Sequence, residues 1–367
     1  MQRDGKIVAV GSAYGHAGDF AVVRYNIDGS LDSSFGQGGK VLTDFGAFDF
    51  GTTVTLAPDG KIVVGGAARA AGSNYNFALA RYNPNGSLDA GFGAGGRVLT
   101  DFGAYEYAAD LALGADGKIV AVGSRYASSG LTDPHVALAR YNADGTLDSR
   151  LDGDGRLLPG PGDAQSVLLQ RGGKIVVASL MAPDYALVRF ASNGTPDTTF
   201  GSGGKASFDS AIGAADLAED ARGRILAAGT TGGQSVDFAL ARYGPSGAGD
   251  ADFGAGGYVR TRFGGRAHAV ALAVGRDGKI VALGYSDGNF AAARFLPTYC
   301  LVPKLKGMPL GAAKQKIHDA HCAVGPLRRI YSRTVPKNRV AAQTSAAGAR
   351  RAEAFPVGLV ISRGRKR

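Results

Sequence analysis

Cysteine is nearly absent from this chain of 367 residues: there are two, Cys300 and Cys322, and none in the first 299 positions. No disulfide framework therefore holds the larger part of the chain together. No run of about 18 apolar residues occurs, so no membrane-spanning helix is expected. Met1 to Val8 lacks a charged segment followed by an apolar one, so no signal peptide is visible. Catalytic signatures are also missing. There is no Gly-x-Ser-x-Gly elbow, no His-Glu-x-x-His pair and no glycine-rich phosphate loop leading into a helix. The histidines His16, His135 and His268 are far apart in the chain. These absences lower the expectation of an enzyme without abolishing it, because active sites can be assembled from scattered loops.

Hydrophobic residues make up 45% and charged residues 20%, a core-forming composition and not a disordered one. The length fits two to three domains, or one large repeat domain plus a small one. Glycine, at 58 residues, is about twice its usual share. It has no three-residue period, which excludes collagen and points to tight turns between short strands. Charge is unevenly placed. Residues 297–367 hold 15 Lys+Arg and 2 Asp+Glu, leaving 26 and 29 for the rest, so a net of −3 in the body contrasts with +13 in the C-terminal segment. A basic module on a near-neutral body implies a local anionic partner and not a chain that binds nucleic acid throughout.

Internal repetition is plain. Asp-Gly-Lys-Ile-Val starts at Asp4, Asp59, Asp116 and Asp277, with degenerate copies at Gly172 and Arg222; the steps are 55, 57, 56, 50 and 55 residues. A second marker, Phe20-Ala-Val-Val-Arg-Tyr25, returns at Phe77–Tyr82, Val136–Tyr141, Tyr185–Phe190, Phe238–Tyr243 and Phe290–Phe295. A third, Asn-x-Asp/Asn-Gly-Ser-Leu-Asp-x-x-Phe-Gly-x-Gly-Gly, is clearest at Asn26–Gly39 and Asn83–Gly96. Each repeat holds four short apolar runs, in the second copy Thr53–Ala57, Lys61–Gly65, Phe77–Tyr82 and Arg97–Phe102. They are too short for helices and are bounded by Gly, Asn or Asp, so each reads as a strand, here named a to d in repeat order. Phe77 and Leu79 fall on one face of such a strand and Ala78, Ala80 and Tyr82 on the other, so both faces need cover. Stacked four-stranded antiparallel sheets of a β-propeller provide it; a flat solenoid is the weaker option. On these markers residues 1–296 resemble the bacterial delta-60 repeat family. The resemblance implies an all-β propeller of six four-stranded repeats and transfers no activity.

Six arginines recur in the second marker: Arg24, Arg81, Arg140, Arg189, Arg242 and Arg294. Sharing a strand face with apolar residues, each needs a partner. The carboxylate after the next turn supplies one: Asp32, Asp89, Asp148, Asp197 and Asp250. Asn26, Asp28, Ser30 and Asp32 also alternate like calcium ligands, but a full loop needs more oxygens and a bidentate Glu, and a type I turn with Asx and Ser caps accounts for them. No metal or cofactor is expected.

In an antiparallel sheet the a–b and c–d turns share one end, and the b–c loops and d–a crossings share the other. The turns are nearly constant between copies, whereas the b–c loops vary, so the variable end is the candidate binding face. It holds Tyr14, His16, Tyr75, Tyr105, Tyr107, Tyr126, His135, Arg266, His268 and Tyr285. Tyrosines there suit stacking on a sugar or peptide, and ordinary loop packing is the alternative.

After a linker at 297–299 the pattern changes. Leu301–Leu305 reads as a strand, Pro309 opens a helix with Leu310, Ala313, Ile317 and Ala320 at helical spacing, and strands follow at 325–331, 339–344 and 356–362. This β-α-β-β-β unit, residues 300–364 with a basic tail at 365–367, resembles a PASTA domain. The resemblance rests on Val302-Pro303, Gly307, Ala313, Lys314, Val324-Gly325, Tyr331-Ser332, Val335-Pro336, Arg339-Val340, Gln343, Gly348 and Val357–Ser362. Asn338 stands where the family has glycine, and Ser345-Ala346-Ala347 where it has a proline-bearing turn, departures that bear on ligand binding and leave the fold intact. The family implies contact with peptidoglycan, and the charge suits an anionic wall polymer; a solvated spacer is the other reading. Cys300 and Cys322 flank the first strand and helix and have no other intrachain partner, so a disulfide is expected, and with it an extracytoplasmic location. His318, His321 and Cys322 make no four-ligand metal set.

These features lead to a non-catalytic envelope protein: a propeller that binds a protein or glycan, and a wall-facing module. A propeller-based glycan hydrolase or lyase, or a purely structural spacer, are the alternatives. The repeat opens at strand b and closes at strand c. Either terminal strands close a ring, or the true start, with a signal peptide, lies upstream of Met1.

Overall fold

The computed structural model describes the chain except residues 14–17, 70–73, 128–131, 182–183, 208–211, 232–235, 255, 276, 297–298, 353–354 and 367. It divides into two compact units, residues 1–274 with 282–293, and residues 275–281 with 294–367.

Six sheets succeed one another along the repeats. The first is β1 (Ile7–Ala13), β2 (Asp19–Tyr25) and β3 (Lys40–Thr43); the second is β4 (Asp49–Leu56), β5 (Ile62–Arg69), β6 (Tyr75–Tyr82) and β7 (Arg97–Thr100). The third comprises β8 (Tyr105–Leu113), β9 (Ile119–Tyr126), β10 (Pro134–Tyr141) and β11 (Arg156–Pro161). The fourth comprises β12 (Asp163–Leu169), β13 (Ile175–Met181), β14 (Asp184–Phe190) and β15 (Lys205–Ser207). The fifth is β16 (Ile212–Glu219), β17 (Ile225–Thr231), β18 (Phe238–Tyr243) and β19 (Tyr258–Thr261), and the sixth is β20 (Ala267–Val274), β21 (Ile280–Ser286) and β22 (Asn289–Phe295). Strand order follows chain order in every sheet, and the four-stranded sheets are antiparallel throughout, as a propeller repeat requires.

Apolar layers lie between successive sheets. Ile62, Val64, Ala78, Ala80 and Tyr82 pack with Phe20 and Val22 of the first sheet, while Val63, Phe77 and Leu79 of the same second sheet pack with Ala121, Ala137 and Tyr141 of the third. The strands are therefore buried on both faces. Burying a side chain such as Leu79 or Phe77 contributes about 1.5–3 kcal/mol, and that gain exists only when the neighbouring sheet is in place.

The first strand of each full repeat carries a bulge, seen as register shifts between Gly51 and Thr53, Ala108 and Asp110, Ala164 and Ser166, and Ala214 and Asp216. The bulged backbone comes so close to strand b that a Cβ on Gly123 would fall 1.9 Å from the Tyr107 carbonyl oxygen, and one on Gly229 1.5 Å from that of Gly213. Only glycine fits there.

The second unit holds β23 (Tyr299–Leu301), α1 (Leu310–Asp319), β24 (Ala323–Ile330), β25 (Val340–Gln343), β26 (Arg350–Ala352) and β27 (Pro356–Ser362). β27 lies between β24, parallel to it, and β25, antiparallel; β23 pairs with β26. Ala313 and Ile317 of the helix pack on Val302, Leu305, Val340, Val357, Leu359 and Ile361. Two expectations are corrected. The first strand ends at Leu301 instead of running to Leu305. Pro303 has no N–H to give a ladder, and the Leu305 N–H is taken by the Gln343 side chain. A fourth strand after the helix, β26, also adds to the expected three, making β-α-β-β-β-β.

Candidate functional site

At the turn end, the segment after strand c folds back so that its carboxylate meets the arginine eight residues earlier. Arg24 Nε is 2.7 Å from Asp32, Arg81 2.7 Å from Asp89, and Arg140, Arg189 and Arg242 2.8 Å from Asp148, Asp197 and Asp250. The same carboxylates receive a second cation from the a–b turn: Lys6, Lys61, Lys118 and Lys174 at 2.7–2.9 Å, and Arg224 at 3.3 Å. Sequence reasoning missed these lysines, although their constancy in Asp-Gly-Lys was a visible signal. The lysine hydrogen bond and a hydroxyl hold Asp32 and Asp197 far below the usual carboxylate range; Lys61 lowers Asp89 likewise. The sixth repeat has no following turn of this kind, and among the described residues Arg294 has no ion pair, while Lys279 turns to Asp277 at 2.5 Å.

The arginines also tie each sheet to the next. Nη1 of Arg24 donates to the Pro84 carbonyl at 2.5 Å and that of Arg189 to Pro245 at 2.6 Å; Arg81 and Arg140 reach Ala143 and Ser192 in the same way. The guanidinium of Arg24, Arg81, Arg189 and Arg242 stacks at 4.3–4.5 Å on the phenylalanine of its own turn, a position held by Leu151 in the third repeat. Backbone bonds run alongside, Gly36 N–H to Asn85, Gly93 to Asp144, Asp152 to Asn193 and Gly201 to Ser246. In the c–d turn itself, Asp28 accepts the backbone N–H and hydroxyl of Ser30 and Asn26 donates to Ser30, so these side chains close the turn.

The opposite end differs from sheet to sheet. The expected loop residues there sit mostly on strand ends. Tyr75 opens β6, Tyr105 and Tyr107 open β8, Tyr126 closes β9, and His135, His268 and Tyr285 lie in β10, β20 and β21. The strands run further than the shortest apolar runs because their ends pair through mixed side chains, as in Arg69 opposite Tyr75. Arg266 precedes β20, and its backbone N–H donates to Asp287; Tyr14 and His16 lie outside the described residues.

Three groups form. Tyr75 packs edge-on against Phe48 and Phe50, with Arg69 over its ring. Tyr107 stacks on Tyr126 at 5.8 Å, and its hydroxyl donates to Asp163 at 3.2 Å, which also accepts from Ser124. Burial pushes both phenols up. His268 stacks on Tyr285 at 4.9 Å and lies 3.5 Å from the Thr230 hydroxyl. Tyr105 and His135 stand outside these groups; His135 Nδ1 lies 3.2 Å from the Asp133 carbonyl.

Carboxylates recur at this end too. Asp19, Asp44 and Asp49 bring oxygens within 4.8 Å of one another. Burial raises Asp49 to about 6 and Glu106 to about 7. Both are spent on backbone: Asp49 accepts the Phe20 and Phe45 N–H groups, and Glu106 that of Ala104. Asp237 pairs with Arg260 at 2.5 Å. Beyond the bulges the first strands of five sheets share a polar chain that sequence reasoning did not find. Asp110 accepts from Thr53, Ser166 and the Val167 N–H, and Asp216 from Ser166 and the Leu272 N–H. Burial raises Asp216 to about 6 and Asp110 in the same direction.

Five stretches, residues 2–35, 57–92, 114–151, 170–200 and 223–253, match the family described as "Domain of unknown function (DUF5122) beta-propeller". Propeller-family repeats thus extend across residues 2–253. No curated protein matches. Among solved structures, one of a protein of unknown function from Dyadobacter fermentans is similar at a TM-score of 0.51 and 12% identity, covering 80% of this chain and 91% of that one. A protein from Lactobacillus plantarum (TM-score 0.46, 12% identity, 82% and 86% covered) and the periplasmic gluconolactonase of Pseudomonas aeruginosa (0.45, 16%, 82% and 84%) are more distant. At these identities the likeness concerns fold alone.

Proposed function

We propose that the protein is a non-catalytic component of a bacterial cell envelope. A six-bladed propeller serves as its binding scaffold, and a PASTA-like C-terminal module associates with peptidoglycan or an anionic wall polymer. The observation that carries this reading is the charge of the module. Of its residues 297–367, 15 are Lys or Arg and 2 are Asp or Glu. Lys304, Lys306, Lys314, Lys316, Arg328, Arg329, Arg333 and Lys337 are exposed, and no ion pair engages them among the described residues. Unpaired cations on one small unit attract a polyanion with little desolvation cost. The variable end supports a binding role: its aromatic groups face solvent in part, while its buried Asp49 and Glu106 are held by backbone amides and are poorly placed to give a proton to a substrate.

Capture on purified cell walls tests the reading. The whole chain is expected to sediment with them at low salt and to be released by salt; reversing Arg328, Arg329, Arg333 and Lys337 to Glu is expected to abolish capture. Undiminished capture of that variant would overturn the role of the module. The location has its own test. Cys322 is buried, and the side chain of Cys300 lies outside the described residues. In an exported protein the two form a bridge contributing roughly 3 kcal/mol. Intact mass after alkylation, without reductant, is expected to show no reactive thiol; two labelled thiols would defeat the bridge and the location together.

A further inference from the structure

A cavity of about 340 Å³ opens at the variable end of the fourth, fifth and sixth sheets. Its lining includes Gln165, Tyr185, Gly213, Thr230, His268 and Tyr285. The repeat explains why it exists here. The position that precedes the bulge is Phe50 in the second sheet, Tyr107 in the third, Asp163 in the fourth and His268 in the sixth; in the fifth it is Gly213. Without a side chain at Gly213, the Tyr185 ring settles on the backbone, where a Cβ would lie 2.8 Å from a ring carbon. The stacked pair of His268 and Tyr285 supplies further aromatic surface, with Tyr285 45% exposed.

We infer that this cavity binds a neutral pyranose unit of a glycan, a deepening that rests on the proposed binding role of the propeller. Among the described residues the lining holds no Asp, Glu, Lys or Arg, which suits a neutral ligand. It does combine aromatic rings with an amide, hydroxyls and an imidazole, and these meet the two surfaces of a sugar ring. Axial C–H groups pack on an aromatic face, and equatorial hydroxyls exchange hydrogen bonds with Gln165, Thr230 and His268. The volume lies at the small end of the range for ligand pockets, fitting one or two sugar rings and not a folded peptide.

The test is titration of the full chain with N,N′-diacetylchitobiose and with cellobiose, followed by ligand-observed NMR and calorimetry. Saturable binding of either is expected, with a Kd on the order of millimolar for a contact of this size. Tyr285→Ala is expected to weaken it about three- to tenfold, by loss of one stacking surface, and Tyr285→Phe to restore it. Circular dichroism of each variant reports whether the fold is kept. No binding of either disaccharide, or equal binding by the folded Tyr285→Ala variant, would overturn the inference. Wall capture through the module is measured separately. Capture without disaccharide binding defeats the cavity alone, and disaccharide binding without capture defeats the wall reading while the cavity stands.

Discussion

In the second and third sheets the turn end is the same object twice: Lys61, Arg81 and Asp89 in one, Lys118, Arg140 and Asp148 in the other, with matching distances to within 0.1 Å. At the other end of the repeat, five successive sheets place five different residues, Phe50, Tyr107, Asp163, Gly213 and His268, at one repeat position. The contrast teaches where a repeat can change. A turn-end residue serves its own sheet and its neighbour at once, so a substitution there is felt twice. A residue at the far end, beyond the bulge, needs only to cover its surroundings.

The largest break in this contrast should come at the turn end. Asp89→Ala leaves the half-buried Arg81 without its carboxylate, and the loss is about 2–3 kcal/mol, below that of a fully buried pair because Arg81 is partly exposed and Lys61 reaches solvent. Chemical denaturation reads it, and a variant as stable as wild type refutes the pairing as a source of stability.

Acid and base should separate the two ends. Asp32, Asp89 and Asp197 have folded pKa values below the unfolded one, so their contribution is present above about pH 4 and is lost as pH falls through the folded values. Asp49, Glu106 and Asp216, at about 6, 7 and 6, run the other way: the folded state binds more protons, so stability declines as pH rises from about 4 to 7. Stability to thermal unfolding is therefore expected to peak near pH 4. Glu106→Gln should flatten the alkaline side, on the order of 2 kcal/mol across that window. An unchanged slope in that variant would remove Glu106 from the account.

Smaller still is the coupling between sheets away from either end. The Tyr141 hydroxyl lies 2.7 Å from that of Thr100 in the preceding sheet, both buried, as Tyr82 does with Thr43. Tyr141→Phe strands the threonine and should cost about 1 kcal/mol in a melt. A neutral result would confine sheet-to-sheet polar coupling to the turns.

The parts most legible in sequence were those in which one residue type recurs at fixed spacing. The arginine and its aspartate stand eight apart in five copies, and their two strand faces read apolar because each abuts another sheet. Harder to read were features set by more than one repeat. The Thr53–Asp110–Ser166–Asp216 chain mixes Thr, Asp, Ser and Asp at one repeat position, so no single letter recurs in every copy to mark it. The strand ends at Tyr75 and Tyr126 looked like loop because pairing there depends on the neighbouring strand's backbone and not on apolar alternation. In the C-terminal unit, helix spacing sufficed to place α1, whereas the three-residue β26 is held by pairing with β23 and has no period to detect.

The bonds at the turns have a direction. In each joint the donors, an arginine Nη1 and, in most, a glycine N–H, belong to the earlier sheet and the acceptors to the turn that follows it about one repeat later. A chain leaving the ribosome would thus complete a sheet with its donors already set, and each newly emerged turn would find them waiting. Growth of the array by capture at its newest edge needs no rearrangement of what has folded, and it spares the nascent chain from long searches between distant segments.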